Sequence, residues 1–346
     1  MRILPPNVRR SWLLSPATPE LHLPPSPRLT DPRPDLGTVA VTGATGFVGG
    51  HVARLLNADG WRVRALVRGP GRGPDFATLI QGSLEDRPSL ERLLEGADAV
   101  VHCAGLVRAA SAAAFNAVNE AGVARLAAVA ADCTAPPRFI LMSSLAAREE
   151  GLSRYAASKR AGERALARHG DGLAWTVLRP PAVYGPGDRA TLDFFRLYQR
   201  GLAPLPGGAA ARLSLIHGAD LAGAVVALLA AEIGVGETYE LRDGCAEGYS
   251  WADIAAAAGR GFDRPMTRFA PPRVLMEGLA AINQGFCALF GATPNLTRDK
   301  IRELYHTDWL CAQNPLAELT DWTPGISLDA GFAQTIAWYR CEGWLN

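Results

Sequence analysis

The segment Val39-Ala-Val-Thr-Gly43-Ala-Thr-Gly46-Phe-Val-Gly49 decides the fold. A short apolar run that ends at Thr42 predicts a buried strand, and the residues after the glycines predict a helix. In such a strand-turn-helix unit, Gly43 permits a tight turn, Gly46 lets the backbone approach a pyrophosphate, and Gly49 lets the helix pack closely on the sheet. The amide groups at the helix start favour an anion. The segment therefore predicts a dinucleotide-binding unit.

Strands and helices continue to alternate beyond this segment. Further strands are predicted at 62–67, 78–82, 99–102, 139–142 and 175–178, and helices through about residue 58 and at 88–94, 112–131 and 155–169. Such an alternation is typical of a parallel sheet covered by helices on both faces. The predicted fold class is therefore α/β, with a Rossmann-type doubly wound parallel sheet.

The alternation weakens after Gly185, where helices predicted at 191–200, 220–231, 251–259 and 272–290 are separated by Gly- and Pro-rich loops. We therefore expect residues 38–185 to form an NAD(P)-binding Rossmann domain and residues 186–346 to form mainly a smaller, mostly helical substrate-binding lobe. Residues 1–37 are crowded with prolines, so we expect a disordered or loosely docked extension. Its Arg-containing, acid-poor start leaves an organelle-targeting peptide open, although the prolines disfavour the amphipathic helix that such a peptide needs.

The composition of the 346 residues narrows the class of protein. The chain is 48% hydrophobic with a formal net charge of +1, so it lacks the basic excess that a nucleic-acid-binding protein needs. The six scattered cysteines form no C-x-x-C pair, so we expect reduced, mostly buried thiols and no metal site. Because no apolar run reaches membrane-spanning length, we predict a cytoplasmic protein with a small-molecule substrate and leave a homodimer open.

Tyr155 and Lys159 form the second informative pattern. Residues at positions i and i+4 lie on one helix face, so the ammonium can lie beside the phenol. A nearby cation favours the phenolate and brings the phenol closer to a working pH, and the hydroxyl of Ser144 can hold a substrate oxygen beside it. Lys159 and Lys300 are the only lysines among 35 basic residues, so a lysine at this position indicates a specific need.

Several motifs taken together resemble an extended short-chain dehydrogenase/reductase of the NAD-dependent epimerase/dehydratase type, over roughly residues 38–345. The motifs that carry the resemblance are Gly43-x-x-Gly46-x-x-Gly49, Ala104-Gly105, Asn119 with Gly122, Ser143-Ser144, Tyr155-x-x-x-Lys159 and Arg179-Pro180-Pro181-Ala-Val183-Tyr-Gly-Pro186. Val63-Arg-Ala-Leu-Val67-Arg68 and the ending Trp322-Thr-Pro with Thr335-Ile-Ala-Trp338 resemble the dihydroflavonol-reductase and 3β-hydroxysteroid-dehydrogenase branch.

The resemblance implies a role for individual residues. Tyr155 would be the acid/base, Lys159 its activator and a ribose ligand, and Ser144, chosen over Ser143, the donor to the substrate carbonyl. Val183 would offer its backbone to the nicotinamide amide. The implied cofactor-binding residues are Gly43, Thr45, Gly46, Phe47, Val48, Gly49, Arg68, Ser83, Leu84, Ala104, Gly105, Asn119, Tyr155, Lys159, Pro180 and Val183. The usual Gly-Asp-Leu reads Gly82-Ser83-Leu84 here, which removes a carboxylate that normally meets the adenine.

The end of the second strand predicts which dinucleotide binds. NAD-specific sites place an acidic residue there for the ribose hydroxyls, whereas NADP sites place a cation for the 2′-phosphate. Here the strand ends at Val67-Arg68, and no Asp or Glu occurs from Gly60 until Asp75. Arg68 can clamp a phosphate through its planar fork and Arg72 can close over it. The sequence therefore favours NADP over NAD.

These observations predict an NADP-dependent oxidoreductase that moves hydride between nicotinamide and a carbonyl or alcohol carbon, with a Ser-Tyr-Lys set. A nucleotide-sugar epimerase on the same scaffold stays open, as does a non-catalytic NADP-binding sensor or assembly protein. A sugar dehydratase is disfavoured because Leu145-Ala146 follows Ser144 where an Asp-Glu pair would stand. His217 is interpreted as structural, His102 as a packed or cofactor-adjacent residue, and the tryptophans after residue 250 as core.

Overall fold

The computed structural model describes residues 36–346, apart from residues 232, 291, 293, 295, 313 and 314. Contacts divide the chain into Met1–Pro32 and Arg33–Asn346, and the described residues belong to the second unit. The prediction for the proline-rich extension therefore lies outside the described residues, except for its last two positions.

The elements follow in chain order. The strands are β1 (Thr38–Thr42), β2 (Arg62–Val67), β3 (Thr78–Gln81), β4 (Ala99–His102), β5 (Arg138–Met142), β6 (Trp175–Arg179), β7 (Ala182–Tyr184), β8 (Leu202–Pro204), β9 (Arg212–Leu213), β10 (Leu215–His217), β11 (Glu237–Glu240), β12 (Thr267–Phe269) and β13 (Asp308–Trp309). The helices are α1 (Phe47–Asp59), α2 (Arg87–Leu94), α3 (Ala112–Asn119), α4 (Ala121–Ala131), α5 (Arg154–Ala167), α6 (Leu192–Gln199), α7 (Gly218–Ala231), α8 (Trp251–Phe262), α9 (Arg273–Leu289), α10 (Arg298–Tyr305), α11 (Pro315–Leu319) and α12 (Leu328–Cys341).

A seven-stranded parallel sheet in the order β11-β6-β5-β4-β1-β2-β3 forms the centre of the structure. Every residue of β1 is buried, because side chains of alternating direction enter two different cores. Val39 and Val41 pack with α1 and α7 on one face, and Ala40 packs with α2 and α4 on the other. This confirms the predicted Rossmann-type fold. The chain reverses direction across the sheet between β1 and β4, where α/β proteins bind ligands at the carboxyl ends of the strands.

The predicted helices are present with small differences at their ends. The segment predicted as one helix at 112–131 is two helices, α3 and α4, because the backbone of Glu120 departs from helical geometry with φ −107° and ψ −64°. The bend follows Asn119, whose carbonyl lies so close to α5 that a Cβ on Gly162 would stand 2.2 Å from it. Close helix packing therefore interrupts the helix where local sequence gives no stop signal.

The sheet extends beyond the boundary predicted after residue 185. β11 pairs with β6, and α7 packs on α1 against the same face of the sheet. Residues 218–240 therefore contribute to the central sheet and to the helical layer on one of its faces. The lobe has its own core, in which Phe195, Trp251 and Tyr339 are buried.

The structure bears on two expectations from the composition, one about the cysteines and one about membrane-spanning helices. The six cysteines, all within the described residues, are free, but only Cys311 is fully buried and Cys341 is exposed, so the expectation of mostly buried thiols was wrong. The other four, Cys103, Cys133, Cys245 and Cys287, are partly exposed. Among the described helices, none combines the length and apolar character needed to cross a membrane.

Candidate functional site

The glycine turn connects β1 to α1 and lies against the loop after β4. Gly43 has φ +74°, a left-handed conformation that favours glycine, and a Cβ there would stand 2.7 Å from the backbone nitrogen of Ala104. The amide of Gly46 closes the turn by donating to the carbonyl of Gly43 at 2.9 Å. The turn therefore needs glycine both for its conformation and for its contact with the loop after β4.

Gly49 has a different neighbour from the one predicted. A Cβ on Gly49 would stand 2.2 Å from the carbonyl oxygen of Gly43, so at this position the helix packs against the turn, while later residues of α1 pack on the sheet. This contact keeps the first turn of α1 above the end of β1. Gly46 is the N-cap of this 13-residue helix, and the first turn holds no acidic residue. The amide groups are thus available to an anion such as a pyrophosphate, which fits the predicted cofactor.

The loop after β4 is held by buried polar contacts. The Thr42 hydroxyl lies 2.7 Å from Nδ1 of His102 and accepts from the Ala104 amide at 3.2 Å. The side chain of Asn119 accepts from the amide of Leu106 at 2.8 Å and donates to its carbonyl at 2.9 Å. Asn119 was predicted as a cofactor-binding residue. In the structure its side chain instead hydrogen-bonds the backbone of the loop that carries Ala104 and Gly105.

Ser144, Tyr155 and Lys159 lie together where β5 ends and α5 begins. The hydroxyl of Ser144 lies close enough to the phenol of Tyr155 to act on its pKa, and it accepts from the amide of Ala146 at 3.2 Å. The ammonium of Lys159 donates to the carbonyl of Met142 at 2.7 Å, and a Cβ on Gly105 would stand 3.7 Å from it. The three side chains thus border the loop after β4. Ser143 points elsewhere and donates to Glu163 Oε1 at 2.5 Å.

The pKa of Tyr155 shifts in the direction opposite to the one predicted. Burial raises it to about 12, the hydroxyl of Ser144 opposes the rise, and Glu303 adds to it. Burial also lowers the pKa of Lys159 to about 8, against the smaller opposing effects of Cys103 and Glu163. The cation does not lower the pKa of the phenol as predicted, because the ammonium of Lys159 donates to the backbone carbonyl of Met142. Tyr155 is therefore a protonated donor at neutral pH.

Glu163 is a buried site residue that sequence reasoning missed. Its carboxylate accepts from Ser143, from Arg160 at 2.9 Å, and from Arg179 at 2.9 and 2.6 Å. Burial alone would raise the pKa of Glu163, but these hydrogen bonds hold it below the usual range. Glu163 thus ties α5 to the ends of β5 and β6. The sequence signal that could have identified Glu163 is its position four residues after Lys159, on the same helix face.

A cleft opens beside Tyr155, and we call it the Tyr155 cleft. Its walls come from the loop before α3, from α3 and α5, and from the segment that leads into α10; they include Val107, Arg108, Phe115, Arg154, Pro294, Thr297, Asp299, Lys300 and Glu303. The rings of Phe115 and Tyr155 lie 6.1 Å apart. Arg154 pairs with Asp299 at 2.5 Å, and the hydroxyl of Ser153 donates to Glu303 at 2.5 Å. These contacts attach α10 to α5.

The remaining predicted cofactor residues are distributed around the sheet edge. Thr45 is exposed at the turn, the ring of Phe47 packs on that of His51 at 5.2 Å, and Val48 packs on the core beside α1. Leu84 contacts Gly122, and the Ser83 hydroxyl accepts from the amide of Glu85 at 3.2 Å.

On the opposite side of the site, the carbonyl of Pro180 accepts from the amide of Leu145 at 2.8 Å. Val183 pairs with Ile216 in a short parallel ladder.

Arg68 follows β2, next to β1 in the sheet, and its side chain is exposed. Two other arginines of the strand are used structurally: Arg62 donates to the hydroxyl of Thr38 at 3.3 Å, and Arg64 donates to carbonyls at the end of α2. For Arg68, no hydrogen bond or ion pair is found with any residue in the described ranges. Its guanidinium is therefore available to a ligand at the edge of the sheet.

The histidines weighed from sequence are buried. Nδ1 of His217 accepts from the amide of Ala219 at 3.2 Å, and burial, with a smaller effect of His51, lowers its pKa to about 4. Burial, with a smaller effect of Lys159, lowers the pKa of His102 to about 3. Both are neutral at physiological pH, as expected of packed residues. The tryptophans after residue 250 pack in or against the cores, which confirms their predicted role.

Known proteins resemble the chain along most of its length. A model of the NAD dependent epimerase/dehydratase family matches residues 39–241. Ceramide reductase of Caulobacter vibrioides is 42% identical over 89% of this chain and 96% of its own length. UDP-glucose 4-epimerase of Vibrio cholerae is 26% identical over 86% of this chain and 94% of its own length. The structure of MoeE5 in complex with UDP-glucose and NAD shares the fold with a TM-score of 0.67 at 22% identity, covering 88% of this chain and 99% of MoeE5.

Proposed function

Because the chain belongs to the NAD dependent epimerase/dehydratase family, we propose that it is an NADP-dependent reductase that acts on a carbonyl group of a lipid of the ceramide class. The family match and the relatives named reductases and epimerases identify the chain as an NAD(P)-dependent enzyme. The substrate class, the preference for NADP and the roles of individual residues are the proposal.

The phenol of Tyr155, which lines the Tyr155 cleft and lies beside the hydroxyl of Ser144, carries the proposal. A pair of hydroxyl groups on one side of a cleft can bind one substrate oxygen from two directions, which orients a carbonyl before it reacts. With a pKa of about 12, Tyr155 holds its proton at neutral pH. It can therefore donate that proton to the oxygen as the carbonyl becomes an alcohol, a contribution of about a hundredfold to ten-thousandfold in rate.

The glycine turn and α1 would hold the dinucleotide, which supplies the hydride when bound. Lys159 has three donors, and one of them is used by the carbonyl of Met142. The other two donors can bind a ribose hydroxyl and stabilise negative charge that develops at the substrate oxygen and the phenol. Glu163 positions this set, because it fixes the strand end that Lys159 contacts.

The relatives favour a reductase over an epimerase. The relative named ceramide reductase is 42% identical, whereas the one named UDP-glucose 4-epimerase is 26% identical. A nucleotide-sugar epimerase stays the second candidate because the relative named UDP-glucose 4-epimerase matches over 94% of its own length. A non-catalytic sensor is disfavoured, since such a protein has no need of the Ser144, Tyr155 and Lys159 arrangement.

A substrate panel tests the proposed function. The purified protein is mixed with NADPH and either a ketone derivative of a ceramide, a short soluble ketone, or a UDP-sugar, and both cofactor absorbance and product identity are followed. We expect cofactor oxidation with the lipid ketone and an equal amount of alcohol. Isomerised sugar without net cofactor loss would favour the epimerase, and the absence of any product would favour the sensor.

The pH dependence of ketone reduction should be set by Lys159. Tyr155 stays protonated up to about pH 12, whereas Lys159 loses its proton above about pH 8. Turnover should therefore be flat below about pH 8 and fall above it, by about tenfold per pH unit once Lys159 is mostly neutral. Turnover at saturating NADPH, measured at each pH with melting temperature as a control for folding, checks this. A turnover that rises through the same range would show that a deprotonated group is required instead.

The preference for NADP should depend on Arg68. Its exposed guanidinium, with no acid between Gly60 and Asp75, suits a 2′-phosphate, so NADP should bind at least about tenfold more tightly than NAD, a difference of about 1.4 kcal/mol. Calorimetry on Arg68→Ala should show that most of this difference is lost while NAD binding stays the same. Arg64→Ala is the matched control, because Arg64 is bound to α2 and should leave the preference unchanged. Equal affinities in the unmodified protein would contradict the assignment.

A further inference from the structure

The outer face of α9 carries a continuous row of exposed apolar side chains, which we call the apolar stripe. It consists of Val274, Leu275, Leu279, Ile282, Phe286 and Phe290. These are six of the thirteen large apolar side chains that are exposed in the described residues, and exposure reaches 82% at Val274 and 71% at Ile282. From Leu275 onward the spacing of three and four residues places the stripe on one side of the helix. Such a concentration of exposed apolar area marks an interaction surface.

The opposite side of α9 is attached to the rest of the lobe. Asn283 donates to the carbonyl of Leu296 at 2.9 Å, and the side chain of Gln284 accepts from the amide of Arg298 at 3.0 Å. Near the start of the helix, the phenol of Tyr305 donates to the carbonyl of Pro271 at 2.5 Å. The stripe therefore faces away from the lobe because its polar side is bound to α10 and the segment before it.

Basic residues flank the apolar stripe at both ends. Between Asp263 and Glu303 the chain holds six basic residues and four acidic ones, in a protein whose formal net charge is +1. Arg273, Lys300 and Arg302 form ion pairs with Glu277, Glu303 and Asp299, whereas no ion pair with a described residue is found for Arg264, Arg268 and Arg298. Two copies of the chain paired through this helix would bring basic ends against basic ends in either orientation, which disfavours a self-association surface.

We propose that the apolar stripe docks on a lipid bilayer that carries anionic head groups, with α9 lying in the plane of the bilayer surface. A helix with an apolar face of Leu, Ile and Phe and basic surroundings binds this interface through apolar burial and attraction to anionic lipids. α10, to which α9 is attached, contributes Asp299, Lys300 and Glu303 to the wall of the Tyr155 cleft. Docking would thus bring the cleft next to a membrane lipid, and this part of the inference rests on the proposed lipid substrate.

Sedimentation with vesicles tests the docking without any catalytic measurement. The full-length protein is mixed with vesicles of phosphatidylcholine alone, or of phosphatidylcholine and phosphatidylglycerol in equal parts. We expect binding to the anionic vesicles that weakens with added salt, and at least about tenfold weaker binding for Ile282→Glu/Phe286→Glu. Val235→Glu/Leu319→Glu is the matched control: it adds the same charge at two exposed apolar positions outside the stripe and should bind slightly more weakly at most.

The outcomes separate docking from the proposed function. Equal vesicle binding by Ile282→Glu/Phe286→Glu and the unmodified protein would overturn the docking, as would a dimer that this variant converts to a monomer without any vesicle binding. With a short soluble ketone, Ile282→Glu/Phe286→Glu should turn over normally, whereas reduction of a lipid ketone in vesicles should fall with binding. Predicted vesicle binding by a protein that reduces neither ketone would support the docking and contradict the proposed function.

Discussion

Tyr155→Phe should lower turnover at least about a hundredfold while melting temperature and NADPH affinity stay nearly unchanged. The substitution removes only the phenolic oxygen, which lies beside the hydroxyl of Ser144. The ring is retained, so its contact with Phe115 is preserved. The loss should therefore fall on proton transfer and not on folding. Initial rates at saturating NADPH, combined with calorimetry of cofactor binding, separate the two.

Two further substitutions sharpen this test. Tyr249→Phe also removes a phenolic oxygen, one that donates to Asp243 at 2.7 Å outside the Tyr155 cleft, so its turnover should stay close to normal. Lys159→Arg keeps a positive charge, but its planar guanidinium cannot reach the same partners as the compact ammonium. We therefore expect Lys159→Arg to lose turnover as well. Near-normal turnover of Tyr155→Phe on an identified substrate would exclude the phenol as the proton donor.

Gly49→Ala should weaken NADPH binding at least about tenfold and lower the free energy of unfolding by about 1–3 kcal/mol. The added methyl group would stand 2.2 Å from the carbonyl oxygen of Gly43, which is backbone and cannot rotate away. Relief requires α1 to move off the turn, and this displaces the amide groups predicted to hold the pyrophosphate. Calorimetric titration with NADPH and thermal unfolding measure the two effects.

Gly50→Ala is the matched control for this substitution. It lies one position further along α1 and is also buried, but its nearest contact would be an ordinary 3.4 Å to the carbonyl of Ala44. We expect unchanged NADPH affinity and equal or slightly higher stability, since alanine is the better helix former. Equal effects of the two substitutions would show that the close contact between α1 and the glycine turn has no bearing on cofactor binding.

Local patterns in the sequence were sufficient for the fold class and for most strands of the central sheet. The apolar run at β1, the glycines after it and the alternation of strands and helices predicted the central sheet, because each signal lies within one element. The position of β11 was not predictable in this way. β11 pairs with β6 although more than fifty residues of chain separate the two strands. No local sequence pattern indicates which strand it pairs with.

Contacts between distant residues account for what sequence reasoning missed at the site. Tyr155 and Lys159 were identified because they are four residues apart on one helix. Glu163 was overlooked because its role depends on Arg179, and Glu303 because α10 approaches α5 only in the folded chain. The direction of the Tyr155 pKa shift was wrong for the same reason: burial and the hydrogen bond from Lys159 to Met142 are properties of the packed structure.

Transfer of deuterium from labelled NADPH tests the central claim most directly. NADPH that carries deuterium at the transferable position of the nicotinamide is incubated with the protein and a ketone substrate, and the product is analysed by mass spectrometry. We predict one deuterium per molecule of alcohol, bound to the carbon that was the carbonyl, and loss of this product in Tyr155→Phe. An alcohol without deuterium, or an isomerised substrate formed while the labelled cofactor is fully retained, would contradict the assignment as an NADP-dependent reductase.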